Sequence, residues 1–315
     1  MSVVRNRARI DKLLVNISRK QKLEGTIADE VLTSVNVVQQ SGLIGKYDKS
    51  HLRIVHDLVG GETPYPQIVA SVKDSDRYSL EKHGLKGVVT EEDKKNEEQP
   101  FDARKDKTQD LTDKITLGRE LALSTTLTDT GVITKNVTLA GTDQFNDYDN
   151  SEPLERFNVA RASIYDNTGQ IVEAKGGFAI VPWNVMNQLK FHPALIENIK
   201  HTVNMQQGLS LQQLKASMGV DRIMMPWARY NNSKEGQADV LTPIWGKNIV
   251  FGYAPRNGSK RIETLGFDIK RRSNVRVFVK AIDDPPNADK ILVDIEYDFL
   301  LTETDAAYLI KDAIA

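Results

Sequence analysis

The chain of 315 residues carries 42 Lys and Arg against 43 Asp and Glu, a formal net charge of -1, with 40% hydrophobic and 27% charged residues. That composition allows roughly two domains, excludes global disorder, and argues against a protein that binds nucleic acid through overall charge, leaving room for a local basic patch. The complete absence of cysteine excludes disulfides, thiolate metal sites, iron–sulfur clusters and cysteine nucleophiles.

No apolar run reaches the ~20 residues that span a bilayer. The opening MSVVRNRARIDKLLVN is basic but has no apolar stretch or small-residue cleavage site, so it does not read as a secretory signal. The expectation is a soluble, cytosolic protein without a membrane partner, stabilised by burial or by assembly.

The first 25 residues read as one helix, with Ile10, Leu13, Leu14 and Ile17 on a single face. Seven basic residues, Arg5, Arg7, Arg9, Lys12, Arg19, Lys20 and Lys22, stand against Asp11 and Glu24. This is either a solvated amphipathic helix or one that faces a polyanion or an acidic partner. From Thr26 to Leu58, short extended segments around Val31, Val35, Val37, Val38, Leu43, Ile44 and Tyr47 lack the apolar mass for a core and read as an arm. Gly60, Gly61, Pro64 and Pro66 then punctuate the chain.

The stretch from Tyr65 to Pro100 has apolar residues at both ends and charged residues between, closed by the acidic run Glu91, Glu92, Asp93, Glu97 and Glu98. It reads as a long two-stranded ribbon. A leg of about 15 residues would reach roughly 50 Å, and an isolated ribbon is marginal in water. Another subunit is the natural surface for it to lie on.

DKTQDLTDKITLGRELALSTTLTDTG is the clearest helix, with a stripe through Leu111, Ile115, Gly118 and Ala122, a cap at Asp106 or Thr108, and Gly131 beyond its end. The following turn holds Asp143, Asp147 and Asp149. Their spacing is not that of an EF-hand, so they read as loop caps and not as calcium ligands. A helix over LERFNVARASIYDNTG, a strand FAIVP, a helix broken at Pro193, a short helix LSLQQLKASMGV and a strand DRIMMPWARY come next. ADVLTPIWGKNIVFGYAP reads as strand, turn and strand. The end is strand-rich, and the final AAYLIKDAI is expected to pack back onto a domain.

No chemistry announces itself. His51, His56, His83, His192 and His201 form no HExxH pair, and GxSxG, GxxxxGK[ST] and strand-linked GxGxxG are absent. Trp183, Trp227 and Trp245 read as packing residues. No catalytic, cofactor or metal residue is expected, and the chain is not expected to be an enzyme.

From about Ile27 onward the chain resembles the major capsid proteins of tailed bacteriophages, whose fold is shared with encapsulin nanocompartments. The resemblance rests on an ordered set: the arm IADEVLTSVNVVQQSGLIGKYD, the loop RYSLEKHGLKGVVTEED, a helix ending GRELALSTTL, and the turn LAGTDQFNDYDNSEPLERFNVARASI. WNVMNQLKFHPALIENIK, GVDRIMMPWARYNN, IWGKNIVFGYAP and DIEYDFLLTETDAAYLIKD complete it.

The resemblance implies an α+β fold with an N-terminal helix and arm (1–60), an extended loop (61–102), and a spine helix with the first part of a peripheral domain (103–149). An axial domain (150–261) and C-terminal strands that complete the peripheral domain and pack on the axial one (262–315) follow. It implies a structural protein that self-assembles as pentamers and hexamers into an icosahedral shell around double-stranded DNA. The chain would then sit in the virion capsid after assembly in the host cytoplasm. A scaffolding protein, a portal, decoration proteins and packaged DNA are the implied partners, and no cofactor is implied.

The loop would meet a neighbouring subunit through Val72, Arg77, Tyr78, Leu80, His83, Leu85 and Val88. Arg5, Arg7, Arg9 and Lys12 would face the interior. One branch of this family cross-links a loop lysine to a neighbour's asparagine. Lys73, Lys82 and Lys86 lie in the ribbon, but no asparagine and carboxylate match that scheme, so no cross-linking is expected. With only about 25 residues before the arm, a separate scaffolding protein or none is expected in place of a fused one. Alternatives are an encapsulin-like compartment that loads protein cargo and, more distantly, a soluble enzyme with no recognisable motif.

Overall fold

A computed structural model describes residues 9–20, 23–47, 54, 72–95, 102–199, 208–234, 236–256, 263–271, 276–282 and 288–315. In chain order the elements begin with β1 (Arg9–Ile10), α1 (Lys12–Lys20), α2 (Ala28–Val31), β2 (Thr33–Val37), β3 (Ser41–Tyr47), β4 (Val72–Ser79) and β5 (Glu81–Val89). The middle holds α3 (Glu91–Lys95), α4 (Ala103–Leu127), β6 (Asn136–Thr138), α5 (Pro153–Thr168), β7 (Gly177–Ile180), α6 (Trp183–Leu189), α7 (Pro193–Ile199) and α8 (Leu211–Met218). Then come β8 (Arg222–Met224), β9 (Arg229–Asn231), β10 (Leu241–Pro243), β11 (Ile249–Tyr253), β12 (Gly266–Arg271), β13 (Arg276–Ile282), β14 (Ala288–Leu301) and β15 (Ala307–Lys311).

Two sheets organise the chain. The first runs β1-β13-β14-β12-β2, with β5 along the other edge of the 14-residue strand β14. Side chains alternate across a strand. Ile291 and Val293 therefore point to one face, where they meet Leu111 and Ile115 of α4 and Leu14 and Val15 of α1. The second sheet runs β6-β15-β11-β7-β8 and is buried on both faces. Phe251, Ala179 and Ile310 meet α5 to α8, while Val250, Phe178 and Leu309 meet Leu123 and Leu127 of α4 together with Trp245. The last strand, β15, is interior to this sheet, so the closing apolar segment packs back as its composition implies.

Helix α4 is the beam that joins the sheets. Its 25 residues span about 38 Å at 1.5 Å each. Asp102 caps it, accepting from the N–H groups of Arg104 and Lys105 at 3.1 and 3.2 Å, and such a cap contributes about 1 kcal/mol. The cap thus lies upstream of the Asp106 or Thr108 expected. Thr108 and Thr112 are buried polar residues in mid-helix, and each hydroxyl donates to the carbonyl four residues back.

Gly118, on the stripe, has nothing within 4 Å of an added Cβ, so no backbone comes close there. The close approach is made by Gly87 of β5 instead, where a Cβ would fall 2.7 Å from the Lys107 side chain.

Three expectations are corrected at the N-terminal end. The opening is not one helix, because Arg9 and Ile10 pair with Val279 and Phe278 as a strand before α1 begins. Asp11 caps the helix by accepting from Leu13 and Leu14 N–H. Leu13 is exposed, so the buried face runs through Leu14 and Val15. Nor does the expected ribbon form from 65–100. Strand β4 pairs with β3, from Ser41↔Ser79 to Tyr47↔Val72, while β5 pairs with β14 over nine residues. The two runs part company because Leu80, buried between them, turns the chain from one partner to the other.

A polar knot, buried except at its more exposed member Asp29, sits partway along α4. Arg119 donates to Asp268 of β12 at 2.6 Å and to Asp29 of α2, and stands over the rings of Tyr297 and Phe299. Lys270 closes the group at 2.6 Å from Asp29 and 2.9 Å from Asp268. The next residue, Glu120, accepts from Trp245 Nε1 at 2.6 Å and from the backbone N–H of Ile27 and Ala28 at 3.0 and 2.7 Å, which satisfies the first turn of α2.

Burial opposes the charge on Asp29, yet Arg119 and Lys270 outweigh it and hold the carboxyl well below the usual range. Burial pushes Glu120 up, against the pull of its three donors.

Two predictions follow from the beam. Leu123 is fully buried and Leu121 is 36% exposed. Leu123→Asp should therefore abolish soluble folded protein, whereas Leu121→Asp should shift the thermal midpoint little; calorimetry of both variants tests which face of α4 is inside.

The second concerns acid. A carboxyl depressed in the folded state stabilises above its unfolded pKa, and that stability drains away as pH falls toward the folded value. Wild-type protein should lose stability as the pH drops below about 4, and Asp29→Asn should lose less over the same window while starting lower at pH 7. Urea titrations at stepped pH check this, and identical slopes would contradict the assignment to Asp29.

Candidate functional site

No group of three or more His, Asp or Glu side chains among the described residues could hold a metal ion, and no described helix is long and apolar enough to cross a membrane. Asp147 behaves as the loop cap expected, accepting from the N–H groups of Asp149 and Asn150, and Asp143 faces Arg156 at 3.5 Å. His192 is fully buried, with Nε2 2.9 Å from Ser151 Oγ and Nδ1 accepting from Ala194 N–H, under the ring of Tyr148. Burial lowers its pKa. With both ring nitrogens engaged and no access for a substrate, this pair locks the α6–α7 junction. His51, His56 and His201 lie outside the described residues.

The surfaces left unsatisfied by the fold are the informative ones. Among the described residues, strands β3 and β4 form a two-stranded sheet of their own, tied to the body by the Ser79 N–H donating to Asp298 at 2.9 Å. Leu43 on β3 is 66% exposed, while the ribbon's base is pinned by Tyr78 and by Leu80 just beyond it, against Phe267 and Ile269. A two-stranded ribbon with Leu43 in water and core contacts through Tyr78 and Ile44 has the form of an arm.

The seven loop residues expected to meet a neighbour therefore divide. Tyr78 and Leu80 are corrected to the subunit's own core, because their burial there leaves nothing to present. His83 stacks on Tyr297 of its own chain at 4.4 Å. Arg77, Leu85 and Val88 are exposed, and Val72 lies at the outer end of the paired ribbon. Lys82, considered for cross-linking, pairs with Asp294 at 3.0 Å.

Of the four basic residues expected to face an interior, Lys12 is exposed at the start of α1, Arg9 lies in β1, and Arg5 and Arg7 lie outside the described residues. Helix α1 is fastened to its own subunit: Leu14 and Val15 enter the α4 core and Ser18 bonds Thr112 at 2.8 Å.

Sequence reasoning misplaced two tryptophans. Trp245 is buried as expected, but Trp183 and Trp227 are each half exposed, and the Trp183 N–H donates to the carbonyl of Pro226, which brings them side by side. Trp227 walls a cleft with Gly25, Leu211, Ile223 and Met225. No periodicity signals such exposure, because Trp183 opens the short helix α6 and Trp227 lies in the irregular link between β8 and β9.

No family model matches the chain. In sequence it is similar to a major capsid protein of Pseudomonas phage JBD67, 25% identical over 313 residues and covering 97% of each chain. In structure it is similar to a phage-related protein from Bordetella bronchiseptica RB50, with a TM-score of 0.74, 20% identity and 98% of each chain covered. It is also similar to the capsid of the cyanophage P-SCSP1u, with a TM-score of 0.58, 8% identity and coverage of 91% of this chain and 88% of that one. A virus-like particle from Pyrococcus furiosus gives a TM-score of 0.56 at 10% identity, covering 95% and 96%. The pinned ribbon, the spine helix across two sheets and these likenesses agree: the chain has the α+β fold of the phage capsid proteins, and its sequence is similar from end to end to a phage major capsid protein.

Proposed function

We propose that this chain is the major capsid protein of a tailed phage, a structural subunit whose copies self-assemble as pentamers and hexamers into an icosahedral shell around double-stranded DNA. The observation that carries the proposal is the sequence match over 97% of both chains to a phage major capsid protein.

The ribbon supports it physically. An arm held to its own subunit through Tyr78 and Ile44 but with Leu43 exposed gains further stability by lying on another surface. An arm on one face that lies on a different face of the next copy makes a heterologous contact, and such contacts close into rings. The neighbour-facing residues proposed are Arg77, Leu85 and Val88, with Val72 toward the outer end. A scaffolding protein, a portal and decoration proteins are the further partners proposed, with assembly in the host cytoplasm. The virus-like particle of similar fold keeps a protein-filled compartment as the second reading.

The test is assembly. Concentrated protein should give closed shells by electron microscopy. Excising residues 43–77, which leaves β5 on β14, should give a folded, soluble subunit that forms none. A variant that still closes shells would remove the ribbon from the assembly contact, and wild-type protein that stays monomeric at high concentration would overturn the shell reading. Shells isolated from cells with DNA inside favour the phage, and shells with a protein cargo favour the compartment.

The N-terminal residues Arg5, Arg7, Arg9 and Lys12 are proposed to face the interior, where they meet polyanion by neutralising phosphate and releasing counterions. Replacing all four with Gln should leave melting within about 2 °C of wild type and reduce nucleic acid retention, most at raised salt. Proteolysis of this end at equal rates in free subunits and closed shells would place it outside.

A further inference from the structure

The face of the first sheet that points away from α1 and α4 carries a pairing the fold does not explain. On β13 and β14, Val277, Val279, Ile291 and Val293 point inward, so by alternation Lys280 and Lys290 point outward. The register sets these two lysines directly opposite each other across the strand pair, and β5 places Val88 opposite Lys290 on its other side. Lys86, one outward position along β5, sits diagonal to Lys290. Like charges directly opposed on one face of a sheet are destabilising.

Among the described residues, no ion pair or hydrogen bond reaches Lys86, Lys280 or Lys290. The neighbouring charges on the same face are all paired. Arg276 bonds Asp294 at 2.6 Å and also meets Glu296, Arg271 bonds Glu296 at 3.1 Å, and Lys82 bonds Asp294 at 3.0 Å. A sheet that neutralises every charge in one row and opposes lysines in the next leaves its frustration at one spot. That spot also holds exposed Val88 and half-buried Phe278 and Leu292.

We propose that Lys280, Lys290 and Lys86 form a docking surface for a second copy of this chain, which presents its acidic turn from Asp143 to Glu155. This rests on the shell reading and names one contact within it. The turn carries Asp143, Asp147, Asp149, Glu152 and Glu155 against Arg156 alone, with Tyr148 exposed among them. It therefore offers carboxylates and an aromatic ring to a surface of lysines and aliphatic side chains. The turn is tied to the second sheet, with Phe145 N–H donating to the carbonyl of Ala313, and no ion pair joins it to these lysines within one chain. A packaged polyanion is the other conceivable occupant, but the proposed interior side is that of the basic N-terminal helix, and this face is the opposite one. Basic row and acidic turn lie on different parts of the subunit, so the contact is heterologous and propagates from copy to copy.

The test uses full-length protein. Lys280→Glu sets opposite charges across β13 and β14, so the isolated subunit should melt roughly 1–3 °C higher. Lys280→Glu with Lys290→Glu should lower shell yield at least about tenfold while circular dichroism stays native. Adding Asp149→Lys and Glu152→Lys to that chain restores the complementarity and should recover shells; among the described residues neither carboxylate makes a side-chain bond.

Shells from the wild type and equally from the Lys280→Glu, Lys290→Glu variant would overturn the contact and leave the shell reading standing. Loss without rescue by the second reversal would overturn the acidic turn as occupant. If DNA retention falls while shell yield holds, the occupant is the polyanion and the proposal is wrong. A wild type that forms no shells overturns the shell reading beneath it.

Discussion

Everything else in the subunit is positioned by the pair of residues at the middle of the spine helix. Arg119 reaches one way, to β12 and α2, and Glu120 reaches another, to Trp245 and the first turn of α2. The first half of the helix belongs to the core under the six-stranded sheet and the second half to the core under the five-stranded one. The knot falls where the two cores meet. Removing one member of a buried ion group costs about 3–5 kcal/mol, because its partner is left charged in a poor solvent. Asp268 is fully buried, so Arg119 is the member whose loss would be felt most. An apolar junction could be as stable, but it would not fix the rotation of the helix against both sheets. Here the Arg119 guanidinium is directed at Asp29 and Asp268 and the Glu120 carboxylate at Trp245 and the start of α2.

That rigidity has a use at the surface. The ribbon leaves the body at Ser41 and returns at Ser79, and its base is held by Tyr78 and Leu80 on β12. Strand β2, just before the ribbon, runs parallel to β12, and β12 carries Asp268 and Lys270. The direction in which the arm leaves is therefore tied to the knot through a single strand. A flexible attachment would let the arm meet its neighbour at many angles, and closure of a ring requires one. In the proposed shell, the buried ion group sets geometry more than it adds stability.

Much of this was legible in the sequence, for identifiable reasons. Helices α4 and α5 announce themselves through repeating apolar positions and, for α5, through Pro153 and Gly169 at its ends. The C-terminal strands are dense in β-branched and aromatic residues. The break at Pro193 follows from its missing N–H. The partner of each strand was not legible. Strands β4 and β5 follow one another with one residue between, and sequence proximity argues for a hairpin. What separates them is the burial of Leu80 and the nine-residue match of β5 to β14, a pairing across some 200 residues that no local pattern encodes. The knot was equally hidden. Arg119 and Glu120 look like an ordinary charged pair on an exposed helix face, and Leu121 looks like core, until the helix is rotated by contacts on both of its ends.

The surface distribution bears on how such a subunit can assemble without aggregating. Its exposed large apolar residues are scattered: Leu43 on the ribbon, Trp183 and Trp227 at one junction, Phe191 after α6, and Leu241 on a short hairpin. Exposed apolar residues distributed over several sites are compatible with a soluble subunit. The near-zero net charge removes the long-range repulsion that would otherwise build up as many copies come together. In the proposed shell each contact would be weak alone and selective through local charge, and a subunit would gain its hold only when several contacts form at once. A wrongly placed copy satisfies some of them and leaves, whereas a correctly placed one is held by the sum. Weak, spatially separated surfaces on a rigid body are what allow a closed shell to correct its own errors, and the rigid body is supplied by the spine helix and the ion group at its centre.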